Sequence, residues 1–273
     1  MGRLRRYRTA FNRYRHGKGF GIHSPFAFGF VLKVLRERLP YYAYGHIDEL
    51  RSMVISRTRH HFRHPRIISS KNAKLIFRVT NFFNPLAILQ IGTSYGVSTA
   101  SMLAVSSRSQ LTLCEQHFDR YPVTAEILEA YKGRIAICAS LEEAIGRYDD
   151  RLLSARMQST ATNGNSNGLD AAQPDLVEET PRQKAARCAL QPFILINNVE
   201  SETDVKILEE YLGRLAEGNA TVIMRNLSRN ELMRRLWSSM CTRAEYGMAF
   251  SNDRIAVFVS NLKLPRQDFS IWF

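Results

Sequence analysis

The chain is poor in cysteine and in cysteine motifs. Its 273 residues contain four cysteines, and none of them shows the paired C-x-x-C spacing of metal or redox sites. Cys114 and Cys138 end apolar runs that predict buried strands, and Cys188 and Cys241 stand apart. We therefore expect four reduced cysteines with structural roles.

Long apolar runs are also missing. The best run, residues 25–32, is far shorter than the roughly 20 residues needed to cross a bilayer. Residues 1–6 are basic, but no long apolar segment follows them, which argues against a cleaved signal peptide. These absences predict a soluble, cytoplasmic protein.

Acidic residues are scarce near the amino terminus. Residues 1–66 hold 15 Lys and Arg against 3 Asp and Glu, a net charge of +12, whereas the other 207 residues carry a net +1. We expect residues 1–66 to form a basic helical extension and residues 67–273 to form the main domain. The extension is either a solvated tail or a binding surface for nucleic acid, another polyanion, an anionic membrane or an acidic protein.

Six of the seven histidines fall in this basic segment, and three of them cluster at His60, His61 and His64. The cluster has no nearby cysteine or carboxylate and lacks the usual spacing of a structural zinc site. It therefore indicates a basic surface loop.

The most informative stretch present is residues 87–100, where a buried-strand pattern runs into a glycine loop and then into a helix. Gly92 and Gly96 allow the backbone of this loop to approach a ligand closely. The next predicted strand ends at Glu115, where an acidic residue can accept hydrogen bonds from ribose hydroxyls.

Strands and helices alternate along the rest of the chain. This alternation predicts an α/β fold, a doubly wound Rossmann-like sheet with an antiparallel pair at one edge. A polar stretch at about 157–187 predicts a flexible insertion. Strands are predicted at 87–91, 111–115, 135–138, 193–196, 221–224, 244–246 and 255–259. One helix is predicted to begin at Pro25, with Ser24 as its cap, and to end at Pro40. Two more are predicted at 47–56 and at 70–83, the latter with Arg78 on its polar face. Ser140 and Ser228 are predicted to cap two further helices.

Residues 90–98, Gln-Ile-Gly-Thr-Ser-Tyr-Gly-Val-Ser, resemble the acidic-x-Gly-Thr-x-x-Gly-x-Ser motif of the catechol O-methyltransferase-like branch of class I S-adenosylmethionine-dependent methyltransferases. Residues 21–26, 41–44 and 267–269 are similar to uncharacterised Bacteroidetes-type members with a basic amino-terminal extension. The resemblance implies a seven-stranded sheet whose last strand is antiparallel, and S-adenosylmethionine as cofactor. The cofactor-binding residues that it implies are Gln90, Gly92, Thr93, Ser94, Gly96, Ser98, Glu115, Ser140 and Asn197.

Three departures from this family pattern change the expected chemistry. Gln90 stands where the family has an acidic residue, Asn197-Asn198 where it has Asp-Gly, and Arg225-Asn226 where its metal-dependent members have acidic ligands. A guanidinium repels a hard cation that prefers carboxylate oxygens, so we expect no metal site. The candidate catalytic residues are Asn197, Glu200 and Arg225.

Two functions remain open at the level of sequence. The chain is either a metal-independent methyltransferase that acts on an unidentified acceptor, or a catalytically degenerate methyltransferase fold, a pseudoenzyme that binds RNA or another polyanion through residues 1–66. A third hypothesis is a nicotinamide-binding protein. The spacing of the glycines in the loop argues against it, because the loop lacks the closer Gly-x-Gly-x-x-Gly spacing.

Overall fold

The computed structural model describes residues 22–59, 67–116, 122–164 and 188–273. Residues 1–21 of the basic extension, the cluster of His60, His61 and His64, and residues 165–187 of the predicted insertion lie outside these ranges.

The described residues form one sheet of eight strands in the order β3-β2-β1-β4-β5-β7-β6-β8. Strands β1 to β5 are parallel, β7 runs antiparallel to both β5 and β6, and β8 is parallel to β6. The strands are β1 (Ala87–Ile91), β2 (Gln110–Cys114), β3 (Ile135–Cys138), β4 (Phe193–Ile196), β5 (Ala220–Arg225), β6 (Met248–Ser251), β7 (Ile255–Ser260) and β8 (Gln267–Ser270).

Helices cover both faces of this sheet. They are α1 (Pro25–Phe30), α2 (Ala43–Thr58), α3 (Ser70–Phe83), α4 (Val97–Leu103), α5 (Pro122–Glu129), α6 (Leu141–Gly164), α7 (Glu202–Ala216) and α8 (Glu231–Arg243). Side chains of α1 to α5 share one core with Ile88 and Leu195, and those of α6 to α8 share a second core with Leu89 and Ile196. The predicted doubly wound α/β sheet is confirmed.

The carboxyl-terminal strands differ from the prediction. The sixth strand spans Met248–Ser251 and not 244–246, because Ala244 ends helix α8 and Tyr246 makes only an isolated bridge to Pro265. Its side chains alternate between the two cores, with Phe250 in the first and Ala249 in the second. Strand β8 is an addition to the seven strands expected. It is the last strand, forms the edge of the sheet and pairs in parallel with β6, so the antiparallel pairs of β7 lie inside the sheet and not at the predicted edge.

Helix ends also differ in part. Ser24 caps α1 and Ser140 caps α6 as predicted, but α8 is capped by Asn230, whose side chain accepts the N–H of Met233, and not by Ser228. Helix α2 is longer than the predicted 47–56. Helix α6 runs to Gly164 and so enters the predicted 157–187 insertion, and the rest of that segment stays a prediction.

The first helical segment ends before the predicted Pro40. Helix α1 continues as a widened π turn, Val31–Leu35, and the chain then leaves the helical conformation at Arg36. The Glu37 carboxylate accepts the N–H groups of Arg38 and Leu39, so these donors are not available to continue the helix.

Arg78 explains how this early end is stabilised. Its predicted place on the polar face of α3 is wrong in one respect, because the side chain is buried, with an exposed fraction of 8%. Its guanidinium donates to the carbonyls of Val34 (2.6 Å) and Leu35 (3.0 Å) and to the Tyr44 hydroxyl (3.1 Å). A cation thus satisfies carbonyls at the carboxyl end of a helical segment, where such carbonyls lack partners within the helix.

We expect Arg78→Met to lower the free energy of unfolding by about 2–3 kcal/mol, because it leaves two buried carbonyls and a hydroxyl without their charged donor. Chemical denaturation followed by circular dichroism measures the change. Lys71→Met is the matched control on the same helix, at an exposed position, and should change stability by no more than about 0.5 kcal/mol. Equal losses in the two variants would contradict the capping role of Arg78.

Candidate functional site

The candidate site lies where the order of the strands reverses. Strands β2 and β3 lie on one side of β1 and strands β4 and β5 on the other, so the chain connections diverge between β1 and β4. The carboxyl ends of parallel strands at such a switch point form a crevice where ligands bind in open α/β sheets. The residues predicted for the site lie at or just after the carboxyl ends of β1, β2, β3, β4 and β5, and therefore share this edge.

The glycine loop has the backbone that its sequence predicts. Gly92 and Gly96 have φ angles of +76° and +78°, which disfavour any residue with a side chain. A Cβ atom on Gly96 would lie 3.2 Å from Cγ2 of Ile127, so the loop packs closely on helix α5. Tyr95 is also left-handed at φ +63° and is buried.

Glu115 meets this loop. Its Oε2 accepts the backbone N–H of Thr93 at 2.9 Å, and the side chain is partly exposed. Glu115 lies just after β2, which ends at Cys114 and not at the predicted residue 115. The structure therefore brings the predicted acidic residue and the glycine loop together. Whether Glu115 binds ribose hydroxyls stays a prediction.

Two side-chain amides donate hydrogen bonds to the backbone carbonyl of Gly92. Nε2 of Gln90 donates to Gly92 O at 2.7 Å, and Nδ2 of Asn197 donates to the same oxygen at 2.5 Å. Both amides also reach Oγ of Ser98, at 3.3 Å and 3.2 Å. Oε1 of the fully buried Gln90 has no hydrogen-bond partner. The amides fix the loop and leave one buried acceptor unsatisfied.

Ser98 is enclosed between the glycine loop and the two amides. Its side chain is fully buried, and its hydroxyl donates to Thr93 O at 3.1 Å while the two amides approach it. This hydroxyl therefore stabilises the conformation of the loop through its hydrogen bond to Thr93.

Arg225 is the charged residue of the network. It ends β5, its exposed fraction is 6%, and its Nη1 donates to Oδ1 of Asn197. Burial lowers the pKa of Arg225 to about 10, which still leaves the guanidinium protonated at neutral pH. Its Nε is buried and has no hydrogen-bond partner.

Sequence reasoning missed the role of two further asparagines. Asn226, at φ +61°, donates from its side chain to the backbone carbonyl of Asn197 at 2.8 Å. Asn230 donates to Oδ1 of Asn198 and to the carbonyl of Val199, while it also caps α8. Asparagine in the loop after a strand is a signal for a left-handed turn, but it does not reveal which neighbouring loop the side chain will bind.

Ser140 and Glu200 lie outside this network. Ser140 is exposed and caps helix α6, and Glu200 is exposed and accepts a hydrogen bond from Asn198 at 3.1 Å. The backbone of Ser94 follows the loop. Glu200 therefore stands at the rim of the site, whereas Asn197 and Arg225 occupy its floor.

Within residues 22–59, 67–116, 122–164 and 188–273, no group of three or more His, Cys, Asp or Glu side chains is arranged to hold a metal ion. None of the described helices combines the length and the apolar character required to traverse a membrane.

Burial raises the pKa of the Cys114 thiol, next to Glu115, to about 12, so this cysteine is protonated at neutral pH.

No protein-family model matches this chain, and no curated protein matches it. Solved structures give broad likenesses. An O-methyltransferase from Bacillus cereus in complex with S-adenosylhomocysteine has 13% identity and a TM-score of 0.46, over 92% of this chain and 97% of that one. A methyltransferase from Geobacter sulfurreducens has 14% identity and a TM-score of 0.47, over 81% and 91%. The O-methyltransferase TomG from Streptomyces achromogenes, in complex with S-adenosylmethionine, has 14% identity and a TM-score of 0.46, over 78% and 90%.

These scores are too low to transfer a function.

We expect Gln90→Glu to make stability depend on pH. The buried carboxylate would face the Gly92 carbonyl, so its folded pKa would rise above the unfolded value. The free energy of unfolding of Gln90→Glu should then be retained at acidic pH and should fall as pH rises through the folded pKa of the new carboxyl group. At pH 8 we expect it to be about 3 kcal/mol below that of the parent.

Urea denaturation at pH 5 and pH 8 measures this effect. Gln110→Glu makes the same change at the start of β2, where the residue is partly exposed, and should behave like the parent at both pH values. If the free energies of unfolding of Gln90→Glu and the parent differ by the same amount at both pH values, the new carboxyl group does not titrate against the Gly92 carbonyl, and the prediction is refuted.

Proposed function

We propose that this chain is an S-adenosylmethionine-dependent methyltransferase that needs no metal ion. The observation that carries the proposal is the junction of the glycine loop with Glu115 at the switch point of the sheet. This junction combines two glycines with positive φ, which keep side chains off the loop, and an acceptor for ribose hydroxyls.

The residues present fit the cofactor at both of its ends. Glu115 would hold the ribose hydroxyls, and Gly92, Thr93, Ser94 and Gly96 would border the amino-acid end. The unpartnered Oε1 of Gln90 offers a buried acceptor for the ammonium group, although a neutral amide holds a cation less strongly than a carboxylate does. Ser98 would support this binding through the loop that it braces, Ser140 would lie near the adenine, and Asn197 would face the reacting methyl group.

S-adenosylmethionine, when bound, supplies an electrophilic methyl group on a sulfonium. The task of the protein is then to place the acceptor in line with that group, because orientation supplies much of the acceleration in such displacements. Asn197 and Arg225 are suited to orienting an acceptor, since each is fixed by hydrogen bonds within the floor of the site. Glu200, at the rim, is the carboxylate available to accept a proton.

We also propose that the chain belongs with the Bacteroidetes-type members of the methyltransferase family and acts in the cytoplasm. Residues 1–66 would form their amino-terminal extension. Its helices α1 and α2 share a core with the sheet, which supports a role in stabilising the glycine-loop side of the domain.

Isothermal titration calorimetry with S-adenosylhomocysteine tests the cofactor site. We expect saturable binding to the parent chain and at least about tenfold weaker binding to Glu115→Ala, because a charged hydrogen-bond acceptor for the ribose is lost. Glu129→Ala removes an exposed carboxylate from the neighbouring helix α5 and is the matched control, with binding unchanged.

Absence of binding at millimolar ligand would overturn the proposal and favour a degenerate fold that serves as a binding module. Equal affinities for Glu115→Ala and the parent would place the ligand elsewhere.

A further inference from the structure

Arg225 is a buried cation without a counter-charge among the described residues. Its one hydrogen bond goes to the neutral amide oxygen of Asn197, and no described carboxylate forms an ion pair with it. Desolvation of an unpaired charge is costly, and buried charges in proteins are normally paired. A bound anion would therefore supply the negative charge that a buried guanidinium normally has beside it.

The free donors of Arg225 define how an anion could be held. Nη1 is committed to Asn197, whereas Nε lacks a partner and Nη2 makes no hydrogen bond within the described part of the chain. Nε and Nη2 form one edge of the planar guanidinium, and such an edge matches the two oxygens of a carboxylate. The guanidinium of Arg78, by contrast, donates hydrogen bonds to two carbonyls and a hydroxyl.

The location of Arg225 ties this requirement to the candidate site. The same Asn197 amide that accepts from Arg225 donates to Gly92 O, so a single side chain separates the guanidinium from the glycine loop. Glu200, the nearest carboxylate along the chain after β4, is exposed and bonded to Asn198.

We propose that Arg225 selects the methyl acceptor, and that the acceptor is a small molecule that presents an anionic oxygen, as a carboxylate does. The inference rests on the proposed methyltransferase function and names the substrate class of that site. Arg225 acts as the specificity-determining residue, and Asn197 positions it.

This substrate class removes the need for a general base. An anionic oxygen uses its own electron pair to form the new bond to the methyl carbon, while the pair of the breaking carbon–sulfur bond goes to the sulfur. The negative oxygen and the positive sulfonium become a neutral methyl ester or ether and a neutral thioether, and no proton has to leave. The amides at positions 90 and 197, in place of carboxylates, are compatible with such a reaction and avoid repelling an anion.

Binding of matched acids and amides tests the proposal. The probes are benzoate with benzamide and acetate with acetamide, since each pair differs mainly in charge. Titrations followed by 15N-resolved NMR are made on the full chain, with and without S-adenosylhomocysteine. The variants are Arg225→Gln, Arg225→Lys, and Arg229→Gln, which removes an exposed positive charge from the same loop.

We expect at least one acid to bind tenfold or more tightly than its amide and to shift the resonances of Gly92 and Asn197. Arg225→Gln should weaken that binding at least tenfold, Arg225→Lys should retain part of it, and Arg229→Gln should leave it unchanged. If Arg225→Gln does not fold, the comparison of Arg225→Lys with Arg229→Gln carries the test, and equal binding in these two variants refutes the proposal.

Equal binding of acids and amides, or acid binding that is unaffected by both Arg225 variants, would overturn the inference. The two proposals fail separately in this design. Charge-selective binding at Arg225 without any binding of S-adenosylhomocysteine would refute the methyltransferase and with it the acceptor role, whereas cofactor binding without charge selectivity would refute only the anionic acceptor.

Discussion

The side-chain amide of Asn197 is the interaction on which the candidate site depends. It donates to the Gly92 carbonyl and to Ser98, and it accepts from Arg225. A carboxylate at this position could accept from Arg225 but could not donate to Gly92, and a lysine could donate but not accept. An amide is thus the side chain that joins the glycine loop after β1 to the cation at the end of β5.

This constraint gives a physical reason for the residue types at positions 90, 197 and 225, where the methyltransferase motifs that the sequence resembles have acidic residues. The Gly92 carbonyl receives donors from both Gln90 and Asn197, so ionised acids at both positions would repel it. Arg225 places a buried positive charge beside Asn197, and the side chain of the neighbouring Asn226 donates a hydrogen bond to the backbone carbonyl of Asn197. The three changes form one network in which each residue type depends on the others.

Sequence patterns were enough to predict the parts of the fold that depend on local periodicity. The helix 70–83, the strands 87–91, 135–138 and 193–196, and the glycine loop with Glu115 lie where apolar patterning and glycine placed them. Arg78 shows the limit, because a charge on the polar face of a helix is expected in solvent unless another element of the fold covers it. Here α1 and its π turn supply that cover. The roles of Asn226 and Asn230 depend likewise on which loops meet in space, and spacing along the chain carries no such information.

We propose that the Gly92–Glu115 junction holds the cofactor of a methyltransferase. A crystal structure of the full chain grown with S-adenosylhomocysteine tests it most directly. We expect the ribose hydroxyls to lie within hydrogen-bond distance of Glu115 and the amino-acid end to lie beside Gly92, with the ammonium group facing Oε1 of Gln90. A ligand bound away from the carboxyl ends of β1 and β2, or crystals in which this crevice stays filled by the chain's own side chains, would contradict it.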